Sequence, residues 1–371
     1  MRIGDHVVEH GVVLAPMAGV TDAPFRVVCA EQGGGVFVSE MLTARGLVEG
    51  GEKSWAMARH HPDETFRSVQ LYGSDPVSMR EAAHRLVTER PVDHIDLNFG
   101  CPVPKVTRNG GGAALPVRRR LLGEVVAAAV RGAGSVPVTV KMRMGLDDRR
   151  LTFLDAAAVA VDAGAAAVAL HARTAVEGYS GDARWDAIAA LRDSVPDDVP
   201  VLGNGDIWEA TDALEMRAST GCDGVVIGRG CLGRPWLFAD LARVMEGEDP
   251  LGPPPLGDTA RFVRRHLELS VEWYGDERSA VRKLRKHLRW YLQGYPVGSD
   301  ARRAAGMVES VADVERLLGA LDPDLAVLPD SVRAPRGRTD AMTRLVLPDG
   351  WMDHPDSLEP VAEPAGTISG G

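Results

Sequence analysis

Cysteine is scarce in this sequence: Cys29, Cys101, Cys222 and Cys231 are the four among 371 residues, with no CxxC pair and no companion spacing that would hold a metal. That pattern excludes a disulfide framework and a structural zinc site, implies no metal, and fits a reducing compartment. Long apolar runs are missing as well. No stretch of about 18 apolar residues occurs, so no transmembrane helix is expected. Met1 to Gly11 is charged and lacks an apolar segment of signal-peptide length, so the expected location is the cytoplasm. An excess of positive charge is also absent. The net charge of −10 excludes a protein that coats nucleic acid over its whole surface and confines any RNA site to a local strip.

What the sequence does have is alternation. Apolar residues make up 45% and charged residues 25%, enough for a large globular core. Eight short apolar runs recur at 12–16, 36–40, 68–72, 94–98, 138–142, 167–171, 199–203 and 224–227. Between them, segments such as 76–89, 121–131, 153–163 and 210–219 repeat apolar residues at the helical period. This alternation predicts βαβ units and a parallel sheet. So many units, with no Gly-rich dinucleotide fingerprint after the first run, favour a closed barrel over a doubly wound sheet. The predicted fold class is α/β: a (β/α)8 TIM barrel over 1–250, then a small C-terminal helical domain over 251–325. The tail over 326–371 has the proline, glycine and aspartate content of a disordered segment. A monomer is expected.

Barrel enzymes gather their catalytic groups where strands end. Here the ends carry Met17, Glu40, Gln70, Asn98 with Cys101, Lys141, His171, Asn204 with Asp206, and Gly228 with Arg229. The last two loops, Gly203-Asn204-Gly205-Asp206 and Gly228-Arg229-Gly230, combine close-approach glycines with an arginine, as a phosphate site requires. Pro16, Met17 and Ala18 give a rigid apolar backbone suited to a flat ring. Gln70 offers a donor and an acceptor to an amide edge, and Lys141 a positive charge beside a ring that becomes anionic on reduction. Together these residues point to FMN. Cys101 lies in a polar loop between glycine and proline, and a thiol is mostly protonated at neutral pH, so it can donate a proton. Cys29, Cys222 and Cys231 read as small buried hydrophobes.

At these residues the chain resembles the tRNA-dihydrouridine synthases, most closely the bacterial B-type branch. The motifs, as they stand here, are APMAGVTDAPFR, VQLYG, DLNFGCP, VKMRMG, HART with GYSG, GNGDI and IGRGCLGRPWLF, spanning about residues 12–296. The resemblance implies FMN bound by Pro16, Met17, Gln70, Lys141, His171, Asn204, Gly205, Asp206, Gly228 and Arg229, with NADPH as electron donor. It implies hydride transfer from flavin N5 to C6 of a uridine in tRNA, with Cys101 protonating C5. It further implies that Asn98, Lys105 and Arg173 sit near the uridine or the flavin. Two departures stand out: Pro104 and Asn109 occupy positions where relatives often carry lysine, and the tail after about Ser331 lies outside the shared pattern.

A uridine within folded tRNA has to be extruded into a pocket while the surrounding backbone is gripped. Within 277–292, Val281, Leu284, Leu288, Tyr291 and Leu292 fall on one helical face, while Arg278, Arg282, Arg285 and Arg289 fall in one stripe, with Lys283 and Lys286 nearby. Such a stripe suits phosphates. Two competing readings are an FMN barrel reductase of a free small molecule, which needs no arginine helix, and a non-catalytic RNA-binding protein, which needs no Cys101.

Overall fold

The computed structural model describes residues 1–342 and 344–361. A hairpin of β1 (Arg2–Ile3) and β2 (His6–Val7) precedes eight parallel strands: β3 (Val12–Leu14), β4 (Val36–Thr43), β5 (Ser68–Tyr72), β6 (His94–Phe99), β7 (Val138–Arg143), β8 (Val168–His171), β9 (Val201–Asn204) and β10 (Gly224–Ile227). They close in sequence order, β10 pairing with β3 as Val226 with Val13. The chain is therefore the expected (β/α)8 barrel. Every expected run overlaps a strand: 68–72 and 224–227 coincide with theirs, and in the others one or both ends shift by one to three residues. Strand β3 stops before Pro16 and β9 begins after Pro200, because proline has no N–H to give a ladder.

Side-chain alternation sorts each strand between two cores. Inward residues Val13, Val36, Val38, Ala169, Leu202 and Val226 form an apolar layer that Ile3 and Val8 close from below. Outward residues such as Leu97, Val140 and Leu170 meet helices, among them Arg119–Ala133, which buries Leu121, Leu122, Val125 and Val126. Each fully buried side chain of this kind contributes roughly 1.5–3 kcal/mol.

Four further helices follow: Leu256–Tyr274, Glu277–Tyr291, Gly298–Ala305 and Val311–Gly319. They have their own core, in which Val281, Leu284, Leu288, Tyr291 and Leu292 all face inward. Gly275 ends the first helix in a left-handed conformation, and Asp276 starts the next by accepting from Ser279 N–H at 2.9 Å. The bundle sits on the helix Ala23–Ala30: Phe25 lies 5.8 Å from the His266 ring and 5.1 Å from the His287 ring, and Tyr274 donates to Asp22 at 2.6 Å. Among the described residues, no helix is long and apolar enough to cross a membrane.

The tail does not follow its composition over the described residues. Arg336 is 2% exposed and donates to the Leu232, Trp290 and Gln293 carbonyls. Trp351 is also 2% exposed, donates to Ala114 O at 2.9 Å, and lies under the Arg118 guanidinium at 3.8 Å. Isolated anchors of this size hold a segment that has no secondary structure of its own. The part of the expected disordered tail over 362–371 lies outside the described residues.

Candidate active site

Beside the apolar layer, the inward positions of β5, β6 and β7 are polar, and one hydrogen-bond chain joins them. Ser68 Oγ lies 2.7 Å from His94 Nδ1, His94 Nε2 lies 2.8 Å from Thr139 Oγ1, and Thr139 donates to Asp96 at 2.6 Å. The Thr139 proton goes to a carboxylate, so its oxygen accepts from His94 Nε2–H, leaving Nδ1 to accept from Ser68. Burial pushes the His94 imidazole down to about 3, which keeps it neutral and preserves that polarity. Asp96 also accepts from Gln70 Nε2 at 2.7 Å, Gln70 Oε1 accepts from Asn98 Nδ2 at 2.8 Å, and Asn98 Oδ1 accepts from Cys101 N–H at 2.8 Å. The chain thus runs from the barrel interior to the Cys101 loop.

The upper members of that hydrogen-bond chain, Gln70, Asn98 and Cys101, border a cavity of about 420 Å³ at the C-terminal ends of the strands. Its lining includes Pro16, Met17, Ala18, Gln70, Asn98, Cys101, Lys141, His171 and Arg229. A smaller hollow of about 80 Å³ shares Pro16, Met17, Lys141, His171 and Arg229 with it and adds Asn204, Gly205, Asp206 and Gly228. Lys141 Nζ donates to Asn204 Oδ1 at 2.8 Å. Burial lowers the Lys141 ammonium, and Arg143 adds to this while Asp96 opposes it. Burial also pushes His171 well below its usual range, and the charges of Arg143, Lys141, Arg173 and Arg229 push it the same way, so the ring is neutral.

The smaller hollow has the features of an anion cradle. Asp206 adopts φ +55°, unusual for a residue with a Cβ, and its carboxylate accepts from Arg173 Nη2 at 2.7 Å, Ala183 N–H at 2.7 Å and Arg229 Nη2 at 3.3 Å. Arg173 is 1% exposed and also donates to the Ser180 and Gly181 carbonyls, so it clamps the cradle from behind and does not line the larger cavity. Its Nη1 is buried without a partner, 3.8 Å from where a Cβ on Gly205 would sit. An orphaned donor beside glycines and the half-buried Arg229 fits a phosphate-bearing cofactor.

Cys101 is half-buried, and its thiol is raised by burial, with the Val103 backbone and Arg143 opposing. Asn98 fixes the loop on one side. On the other, Ala113 N–H donates to Cys101 O at 3.0 Å, and Gly112 at φ +55° leaves no room for a side chain, since a Cβ there would lie 2.4 Å from that oxygen. Lys105 is exposed on the turn Pro104–Thr107 and does not line the cavity. Cys29, Cys222 and Cys231 are buried.

Several cavity residues escaped the strand-end reasoning. Arg143 follows Lys141 by two positions on β7 and shares its side; alternation within VKMRMG was the available signal. It donates to the Thr174 and Gly178 carbonyls, with its guanidinium 5.4 Å from the Tyr179 ring. Met41 replaces Glu40 at the cavity because β4 carries a bulge between Val38 and Met41. Glu40 instead accepts from Gly19 N–H, and burial raises its carboxyl.

The helix Glu277–Tyr291 divides its cations. Lys286 and Trp290 reach the cavity. Arg278 and Arg282 are exposed. Arg285 donates to Val308 O at 2.7 Å and is engaged by the bundle itself, while Arg289 is exposed beside Gly306.

A family model described as "Dihydrouridine synthase (Dus)" matches residues 13–323. The chain is 50% identical to a probable tRNA-dihydrouridine synthase of Mycobacterium tuberculosis, over 100% of this chain and 97% of that protein. It is 38% identical to tRNA-dihydrouridine synthase B of Pseudomonas putida, over 83% of this chain and 90% of the other. Among solved structures it is similar to histamine dehydrogenase from Rhizobium sp. 4-9, with a TM-score of 0.52 and 13% identity over 87% of this chain and 64% of that one. This chain thus spans under two thirds of that protein, and at such identity the likeness is one of fold.

Proposed function

This chain belongs to the dihydrouridine synthase family of flavin-dependent oxidoreductases, and from that premise we propose that it reduces the C5=C6 bond of a uridine in tRNA, with FMN bound and NADPH as electron donor. The observation that carries the reading is the adjacency of two spaces: the Cys101 cavity and the Gly205–Arg229 cradle share Pro16, Met17, Lys141, His171, Tyr179 and Arg229 in their walls. Pro16, Met17 and Ala18 flank a flat ring. Gln70 has one N–H and one lone pair beyond its bonds to Asp96 and Asn98, and these meet the pyrimidine edge. Asn204, Gly205, Asp206, Gly228 and Arg229 hold the phosphate end. Bound there and reduced by NADPH, FMN supplies the hydride that C6 of the uracil takes up.

Lys141 places a cation beside the ring, held by Asn204. His171, kept neutral by burial and by its cationic neighbours, offers a hydrogen bond without adding charge. The raised Cys101 thiol keeps its proton at neutral pH and delivers it to C5 of the uracil, while Asn98 holds the loop that aims it. The helical unit over 251–325 grips tRNA through Arg278, Arg282, Lys286 and Arg289, and exposed Lys105 adds to the grip from the loop after Cys101. Two uses are revised from the sequence reading: Arg173 supports the cradle, and Arg285 shapes the bundle.

Purified protein incubated with NADPH and unmodified tRNA, then analysed by nucleoside mass spectrometry, is expected to yield dihydrouridine and to release FMN on denaturation. Bound flavin without dihydrouridine would refute the tRNA substrate and favour reduction of a free small molecule.

A further inference from the structure

The family match ends at residue 323, yet the chain continues across the mouth of the barrel. Arg234 donates to Val332 O, and Arg333 pairs with Glu209 and Asp212. Buried Arg336 ties the segment to the loop after β10 and to the end of the helix Glu277–Tyr291. Further on, Arg229 donates to Arg338 O at 2.7 Å, Tyr179 N–H to Asp340 O at 3.1 Å, and Met342 N–H to Val176 O at 3.1 Å. Gly178 faces this strap at φ +57°, and a Cβ there would lie 2.8 Å from Asp340 O. Between these anchors, Gly337, Arg338 and Met342 line the same cavity as Cys101 and Lys141.

The main chain of Arg338 is held, but its exposed guanidinium makes no hydrogen bond or ion pair among the described residues. It stands on the lining of a cavity in which three other cations are already engaged, Lys141 by Asn204, Arg143 by two carbonyls, and Arg229 by Asp206, while Lys286 reaches the lining from the helix Glu277–Tyr291. A uridine extruded into that cavity leaves its flanking phosphates at the mouth. We propose that the strap over 332–342 is a wall of the substrate entrance and that Arg338 binds a backbone phosphate beside the target uridine. This deepens the reading of the site as a tRNA reductase and rests on it. Phosphates of NADPH share the same chemistry. The extended backbone of a nucleotide held by its base suits a group at the mouth better than a dinucleotide that must reach the ring itself.

The test compares wild type, Arg338→Ala and Arg338→Lys, each with its FMN content measured. Unmodified tRNA transcript binding is followed across a salt series, and the KM values for tRNA and NADPH are determined separately. The alanine variant is expected to bind tRNA about tenfold more weakly. Its slope of log affinity against log salt should be shallower by about one neutralised phosphate, and lysine should restore that slope. Unchanged affinity and slope in Arg338→Ala, with wild type binding tRNA, would overturn the role of the strap alone. A raised KM for NADPH with no change for tRNA would do the same. Wild-type protein that holds FMN but binds no tRNA would overturn the reading of the site, and this inference with it.

Discussion

At Cys101 the surroundings favour the protonation state that the reaction uses. Burial raises the thiol, and Arg143 opposes without reversing the shift. A donor thiol is lost when it ionises, so turnover should hold from neutral pH upward and fall only above the ordinary cysteine value near 8.5. Cys101→Ala should lower kcat by about 10²–10⁴-fold while FMN stays bound. Single-turnover oxidation of the reduced flavin by tRNA measures this, and wild-type rates would remove the thiol from the mechanism. Asp96 acts one step removed. In Asp96→Asn, one arrangement orphans the Thr139 hydroxyl proton. The other reverses the chain through Gln70 and Asn98, leaving Cys101 N–H facing an amide donor. Either costs about 1–3 kcal/mol in stability. The second also misplaces Gln70 and the Cys101 loop, so FMN affinity and kcat should fall together. A titration of FMN into apoprotein, read beside Tm, separates these outcomes, and wild-type values throughout would deny the chain any positioning role. Cys101, Lys141 and His171 were legible because strand ends in a barrel converge. The clamp role of Arg173 was not, since its partners at Ser180 and Gly181 are backbone carbonyls with no sequence signature.

At the scale of the element, the helix Glu277–Tyr291 serves the bundle core, the barrel mouth and the solvent on different faces. The inward face was legible from its period, as was the stripe of arginines. Which guanidinium groups stay available was not, because Val308, which engages Arg285, comes from a later loop. Arg278 and Arg282 are therefore the clean pair for a test. Replacing both by alanine should weaken tRNA binding and lower the salt slope by about 0.7–0.9 for each phosphate no longer neutralised, with Tm nearly unchanged. Binding isotherms at several salt concentrations give the slope directly, and an unchanged slope would move the RNA to another face. Strand β4 shows a second limit of periodic reasoning. Its bulge brings Met41 rather than Glu40 to the cavity, and one extra residue in a strand leaves no mark in a hydrophobic pattern.

Over the whole molecule, the barrel and the bundle are joined through Phe25 between His266 and His287, through Tyr274 on Asp22 and Arg265 on Glu31, and through the strap. Composition placed the tail outside the fold because its ordering rests on a few isolated side chains amid proline, glycine and aspartate. Trp351 is the chief of these: it fills the space beside Gly110, stacks with Arg118 and donates to Ala114 O. Trp351→Ala should cost about 3–5 kcal/mol, the range for emptying a buried aromatic site. Trp351→Phe keeps an aromatic ring and loses the indole N–H, so it should cost nearer the ~0.5–1.5 kcal/mol of one hydrogen bond. Denaturant midpoints for the two variants order the effects. A midpoint equal to wild type in Trp351→Ala would mean that the residues beyond the strap rest on the barrel without stabilising it, and that the anchors at Arg336 and Asp340 alone hold the strap across the mouth.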